Sequence, residues 1–126
     1  MKVDRIDHLV LTVHDIQETC SFYSRVLGIP AITFGDGRMA LKVGENKINL
    51  HEEGKEFKPG ALKPVPGSAD LCFITSLPLN ELIDRLQSFH VEIIEGPVLR
   101  AGASGPINSV YIRDPDGNLI ELSNYL

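Results

Sequence analysis

The sequence predicts an α+β fold built from two tandem βαβββ modules, and three observations carry that prediction. First, the two halves are weak copies of each other. Ile6-Asp7-His8-Leu9-Val10-Leu11-Thr12 and Ser68-Ala69-Asp70-Leu71-Cys72-Phe73-Ile74 each precede a helical pattern. Hairpins ending Ile48-Asn49-Leu50-His51 and Ile120-Glu121-Leu122-Ser123 close the two halves. Second, residues 54–67, GKEFKPGALKPVPG, form a Pro/Gly-rich connector between them. Third, Asp114-Pro115-Asp116-Gly117-Asn118 is strong turn chemistry, with Pro presetting φ and Gly permitting positive φ. A repeat of this kind dictates architecture. A half of about 55 residues buries little surface alone, so one domain is expected over residues 1–126. Its modules lie at about 1–53 and 68–126.

The elements follow in order. Ile6 to Val13 is nearly unbroken apolar sequence around His8 and reads as a strand. Asp15 and Glu18 have capping-box spacing at a helix start. Ile16, Cys20, Tyr23 and Leu27 then recur at helical spacing, so that face is expected to be buried. Gly28 supplies a helix stop and Pro30 prevents continuation. Three strands are expected over about 31–35, 38–43 and 47–52, joined by Gly35-Asp36-Gly37 and Gly44-Glu45-Asn46. In the second half Leu71 to Thr75 reads as a strand. Leu79, Leu82, Ile83 and Leu86 mark a helix after Pro78. Val91-Glu92-Ile93-Ile94 is expected as a strand and Gly96 to Pro106 as a Gly-rich loop. That loop has no Lys-Ser/Thr and no following helix, which argues against phosphate-loop nucleotide binding. Ile107–Arg113 and Leu119–Asn124 complete the second half as strands.

Composition excludes some classes. The formal net charge is −5 and the basic residues are scattered, so nucleic acid is not expected as a partner. Lys55, Lys58 and Lys63 cluster, but in the connector beside Glu52, Glu53 and Glu56, as a solvated loop would have them. No apolar run approaches the ~20 residues of a membrane span, and Met1-Lys2-Val3-Asp4-Arg5 lacks a signal-peptide core. A cytoplasmic protein is expected, with no membrane partner. Cys20 and Cys72 fall in apolar segments without metal or redox spacing, and both are expected to be buried thiols.

Asp7-His8-Leu9, Phe22-Tyr23-Ser24-Arg25-Val26-Leu27-Gly28 and the closing run Tyr111 to Leu122 together resemble the vicinal oxygen chelate superfamily. That group includes glyoxalase I, extradiol dioxygenases, fosfomycin-resistance enzymes, methylmalonyl-CoA epimerase and bleomycin-resistance proteins. The resemblance spans essentially the whole chain, and the small glyoxalase-domain-containing proteins are most similar in feel. It implies modules whose mixed sheets curl around a cavity. It implies a divalent metal on the first and last strands of the modules, and a substrate bound through adjacent oxygens. It also implies a homodimer, since open curled sheets leave edges and apolar faces to cover.

Under that resemblance the metal candidates are His8, His51 and Glu121. His8 holds the family's first ligand position, although a strand His in apolar sequence is ordinarily a satisfied core residue. Glu121 lies in the closing motif, and a metal would compensate a buried carboxylate. The repeat sets Asn49 opposite Glu121. An amide is a poor transition-metal ligand, so Asn49 is assigned to substrate. His51, two residues on, projects from the same strand face and supplies the missing imidazole. Asp70 stands where fosfomycin-resistance and extradiol enzymes carry His. It is assigned as a catalytic base or water-positioning group, with ligation of a hard cation as the alternative. Tyr111, ten residues before Glu121, is the second catalytic candidate, against the plainer reading of a core aromatic. His14 and His90 receive no role.

Two imidazoles and a carboxylate suit Zn, Ni, Co, Mn or Fe(II) and leave positions for substrate. The expected function is thus a divalent-metal-dependent glyoxalase-like enzyme, doing lyase- or isomerase-type proton transfer on a small molecule with adjacent oxygens. The alternatives are an extradiol-type ring-cleaving dioxygenase and a metal-free small-molecule binder of bleomycin-resistance type.

Overall fold

The computed structural model describes all of residues 1–126, which divide into two compact units, Met1–Pro66 and Gly67–Leu126. Each is one βαβββ module with an open four-stranded mixed sheet, as the repeat predicts.

The first module runs β1 (His8–Val13), α1 (Ile16–Leu27), β2 (Ala31–Phe34), β3 (Arg38–Val43) and β4 (Asn46–Glu52). Its sheet order is β1-β4-β3-β2, with β1 and β4 parallel and the other pairs antiparallel. A parallel pair needs a long crossover, here α1 and the β2–β3 hairpin. Asp15 caps α1 by accepting a hydrogen bond from the Glu18 amide at 3.1 Å. Gly28 ends it at φ 67, where its amide donates to the Tyr23 carbonyl. The buried face of α1 is Thr19, Cys20, Tyr23 and Val26. Ile16 and Leu27, at the helix ends, are only half-buried. Leu11, Val13, Leu41, Ile48 and Leu50 fill the core from the helix-covered face of the sheet. The alternate residues of β1, β3 and β4 therefore occupy the opposite, open face.

The second module runs β5 (Asp70–Ile74), α2 (Leu79–Ser88), β6 (Glu95–Gly102), β7 (Gly105–Arg113) and β8 (Leu119–Tyr125), with order β5-β8-β7-β6. Leu79, Leu82 and Leu86 of α2, and Ile107, Val110, Ile112, Ile120 and Leu122 of the sheet, are its buried apolar side chains.

Two expectations are corrected here. Residues 91–94 are irregular, and the strand begins instead at Glu95 and runs to Gly102, across most of the segment read as a loop. The glycines there serve close backbone approach. A Cβ on Gly96 would collide with the Ser109 carbonyl, and one on Gly102 would come within 2.8 Å of the Gly105 carbonyl. Pro97 is tolerated because β6 is an edge strand whose register shifts between Glu95 and Val98. The second correction is Cys72, which is exposed while Cys20 is buried. Strand β5 alternates exposed and half-buried residues, so its apolar sequence does not make both faces interior.

The closing turn is a hydrogen-bonded knot. Asp114 Oδ1 accepts from the amides of Asp116 and Asn118, both at 2.9 Å. Asn118 Nδ2 donates to Asp114 Oδ2 at 2.8 Å, and Asn118 Oδ1 accepts from the Ala69 amide at 2.9 Å. The turn thereby fixes the residue before β5 and, through it, the place of Asp70.

Candidate functional site

Register partners project from the same face of a sheet. In the first module the open face carries three rows. His8 lies beside Lys47, Val10 beside Asn49 and Thr12 beside His51. Ala40 of β3 extends the middle row. In the second module Asp70 lies beside Leu119, Cys72 beside Glu121 and Ile74 beside Ser123. Tyr111 and Ser109 of β7 continue the Glu121 and Ser123 rows. The repeat thus places Asp70 at the position of His8, Glu121 at that of Asn49 and Ser123 at that of His51.

His8 is half exposed and its Nδ1 lies 2.8 Å from Asp7 Oδ2. A carboxylate on one ring nitrogen fixes the imidazole and leaves Nε2 available, an arrangement common around metal-bound histidines. The same hydrogen bond holds the Asp7 carboxyl below its ordinary range. His51 is four residues along the sheet from the His8 row, about 13 Å at strand spacing. It is 7% exposed, and its ring packs edge-on against Phe57 at 5.4 Å. The structure therefore does not bring His8 and His51 together. Nor do three His, Cys, Asp or Glu side chains of either module form a ready metal cage. Burial, and secondarily the Arg38 charge, pull the His51 pKa down. Its Nε2 is buried without a hydrogen-bond partner, and so is Asn49 Oδ1.

In the second module Glu121 is half-buried, and its Oε2 accepts from Ser109 Oγ at 2.7 Å. Ser109 Oγ in turn lies 2.6 Å from Ser123 Oγ, and both serines are fully buried. The chain of hydroxyls continues to Cys72 Sγ at 3.4 Å. Burial pushes the Cys72 thiol pKa up, with Glu121 and Asp70 adding to the rise. Tyr111 is half-buried, and its hydroxyl accepts from Arg100 Nε at 3.0 Å. Arg100 also pairs with Glu95 at 2.5 Å. Asp70 is exposed at the start of β5. A cavity of about 340 Å³ opens in this module, with Glu121, Arg100, Cys72, Ile107 and Tyr125 in its wall.

Residues 5–122 match the family model described as the glyoxalase/bleomycin resistance protein/dioxygenase superfamily. The chain belongs to this superfamily. It is 58% identical over 126 residues to virulence protein STM3117 of Salmonella typhimurium, covering all of this chain and 88% of that protein. The crystal structure of that virulence protein superposes with a TM-score of 0.97 over the full length of both chains. The chain is also 53% identical over 125 residues to glyoxalase domain-containing protein RDO1 of Mycosarcoma maydis, covering 99% of this chain and 70% of the relative. More distant structures share the fold alone. Among them, lactoylglutathione lyase from Agrobacterium tumefaciens has a TM-score of 0.72 at 22% identity, over 98% of this chain and 95% of that one. TnmS3, an antibiotic binding protein from Streptomyces sp. CB03234, has a TM-score of 0.78 at 20% identity, over 100% and 99%.

Sequence reasoning passed over Asp7, Ser109 and Arg100 as supporting residues. Asp7 directly precedes a candidate His, a local signal. Ser109 and Arg100 were hidden, because they matter only once the β7–β8 and β6–β7 registers are known. No helix is long and apolar enough to cross a membrane.

Proposed function

We propose that the protein is a divalent-metal-dependent glyoxalase-like enzyme acting on a small substrate with adjacent oxygens. The observation that carries this is Glu121, a half-buried carboxylate in a cavity wall, held by the Ser109 hydroxyl, with the Arg100 charge across the cavity but in no direct ion pair with it. A half-buried carboxylate that no ion pair neutralises is costly, and a bound cation would offset that cost.

Within the second module Glu121 is the proposed ligand, with Asp70, two residues before its register partner Cys72, as the second. His51 belongs to the first module, where Phe57 packs on its ring, and is not one of these ligands. Two carboxylates favour a harder ion, such as Mn or Fe(II), over a histidine-rich zinc site. The bound ion would polarise a substrate oxygen and ease loss of a neighbouring proton. The remaining work falls to the chain. Ser109 and Ser123 fix the Glu121 carboxylate in one orientation. Arg100 holds the Tyr111 hydroxyl, whose own proton is free to be donated to a substrate oxygen. Asp70, exposed and unbonded to any side chain, would accept the proton when it is not itself a ligand.

The test is a turnover screen on protein loaded with each divalent metal in turn. Conversion of 2-oxoaldehyde adducts, abolished by chelator, is the expected result. Oxygen uptake with catechols would favour a dioxygenase instead. The amide at Asn49, where a carboxylate would complete the set, favours a second reading as a metal-free binder. Tight binding of a planar drug without turnover would support that one.

We also propose a homodimer. Val10 is 45% and Ile74 51% exposed, each on the open face of its own sheet, apolar patches that a second copy would cover. Sedimentation equilibrium at micromolar concentration should show a dimer, and a monomer alone would refute it.

A further inference from the structure

The open face of the first module gathers Arg38 and Lys47, with the carboxylates of Asp7 near Lys47 and of Glu56 near His51 at its edges. Arg38 and Lys47 converge on one ring, the Arg38 guanidinium carbon 4.9 Å and Lys47 Nζ 3.3 Å from the centre of Phe34. Neither makes a salt bridge, and every residue of β3 and β4 on this face is neutral or basic. Lys47 reaches Phe34 diagonally across the middle row, where Ala40 is small enough to leave the path open.

Beneath these cations lie the two orphaned atoms already described, Asn49 Oδ1 and His51 Nε2. Asn49 is 5% exposed and His51 7%. A buried polar atom left unpaired costs roughly 1–3 kcal/mol, so two of them two residues apart on one strand face need a reason. Phe57 covers this spot. It lies against His51, and Arg38 stacks on its ring at 4.4 Å. Phe57 belongs to the connector after β4, outside any helix or strand, and is half exposed. It can therefore swing away without breaking sheet hydrogen bonds.

We propose that this face is an anion site roofed by Phe57, which takes a small organic acid carrying a hydroxyl next to the acid group. The acid group would pair with Arg38 and Lys47, replacing cation–π contacts by charge-assisted hydrogen bonds. The hydroxyl would donate to Asn49 Oδ1, and the acid or hydroxyl oxygen would accept from His51 Nε2. The choice of a hydroxyl beside the acid rests on the adjacent-oxygen substrate proposed above. The anion site itself needs no metal, which separates its test from that of the enzyme reading.

The experiment titrates the chelator-treated full chain with lactate, following the His51 ring nitrogens by NMR. Neutral methyl lactate and hydroxyl-free propionate are the comparisons. Lactate should shift the His51 signals saturably, methyl lactate should not, and propionate should bind more weakly. Arg38→Gln and Lys47→Met, with unchanged thermal melts, should each weaken lactate about tenfold or more, the loss expected for one charge-assisted hydrogen bond. Equal affinity for lactate and its methyl ester would overturn the proposal. So would lactate binding unchanged in both variants, or His51 signals that do not move. If lactate binds as expected while no metal supports turnover, the anion site stands and the enzyme reading falls. If turnover is found but lactate leaves His51 untouched, the reverse holds.

Discussion

Glu121→Gln is expected to keep the fold, lose the metal and abolish turnover. The substitution is nearly isosteric, and a Gln carbonyl oxygen can still accept from Ser109 Oγ, which now donates at 2.7 Å. The buried serine pair and the Tyr111–Glu121 register should therefore survive, and the thermal midpoint should move by no more than about 3 °C. What changes is the charge. A divalent cation loses one of its two proposed carboxylates, and affinity should fall by at least about 100-fold. Metal content after equilibrium dialysis, measured beside turnover in the screen, checks both halves. A variant that keeps full metal occupancy would remove Glu121 from the ligand set. A variant that loses metal but keeps turnover would remove the metal from the reaction.

The architecture was legible because period and punctuation agree across the chain. The Asp15–Glu18 cap, the Gly28 stop and the 54–67 connector each mark a boundary that the structure keeps. The repeat also aligned Asn49 with Glu121, and the two registers place them at equivalent points. The failures have a common cause. Gly96, Gly102 and Gly105 were read as loop residues because glycine is permissive, yet two of them sit where neighbouring backbone leaves no room for a Cβ. That crowding exists only once β6 lies on β7. Cys72 was read as buried from apolar neighbours, but burial depends on which face is covered. His51 shares a face with the His8 position by parity, and parity alone does not reveal the two-row offset. Strand periodicity gives the face of a residue, and only the partner strand's register gives its distance along that face. For the same reason the sequence could name His8 and Glu121 one at a time, while Ser109 and Arg100 emerged only with the strand pairing.

Asp114→Ala is expected to be the most destabilising polar substitution in the chain, with no direct effect on the ligands. Asp114 is 5% exposed, and its two oxygens accept three hydrogen bonds, from the Asp116 amide, the Asn118 amide and the Asn118 side chain. Alanine would leave these donors without partners in a buried turn. Asn118 is itself only 2% exposed, so water has little access to repair the loss. At roughly 1 kcal/mol per bond, more where the acceptor is charged, the cost should be on the order of 3 kcal/mol. That corresponds to a thermal midpoint lower by about 10 °C. Asp114→Asn should recover part of it, because an amide oxygen can still accept both backbone bonds while the Asn118 contact becomes unfavourable or must flip. The closing run of the family pattern then separates into two functions. Asp114 and Asn118 hold the turn and, through the Ala69 amide, the start of β5, whereas Glu121 faces the cavity. Denaturant melts of Asp114→Ala and Glu121→Gln, set beside their metal contents, should show opposite losses. Asp114→Ala should give up stability while binding metal normally in its folded fraction, and Glu121→Gln should do the reverse. If Asp114→Ala melted like the unsubstituted protein, the turn would not be held by this carboxylate, and a structural reading of the motif would fail.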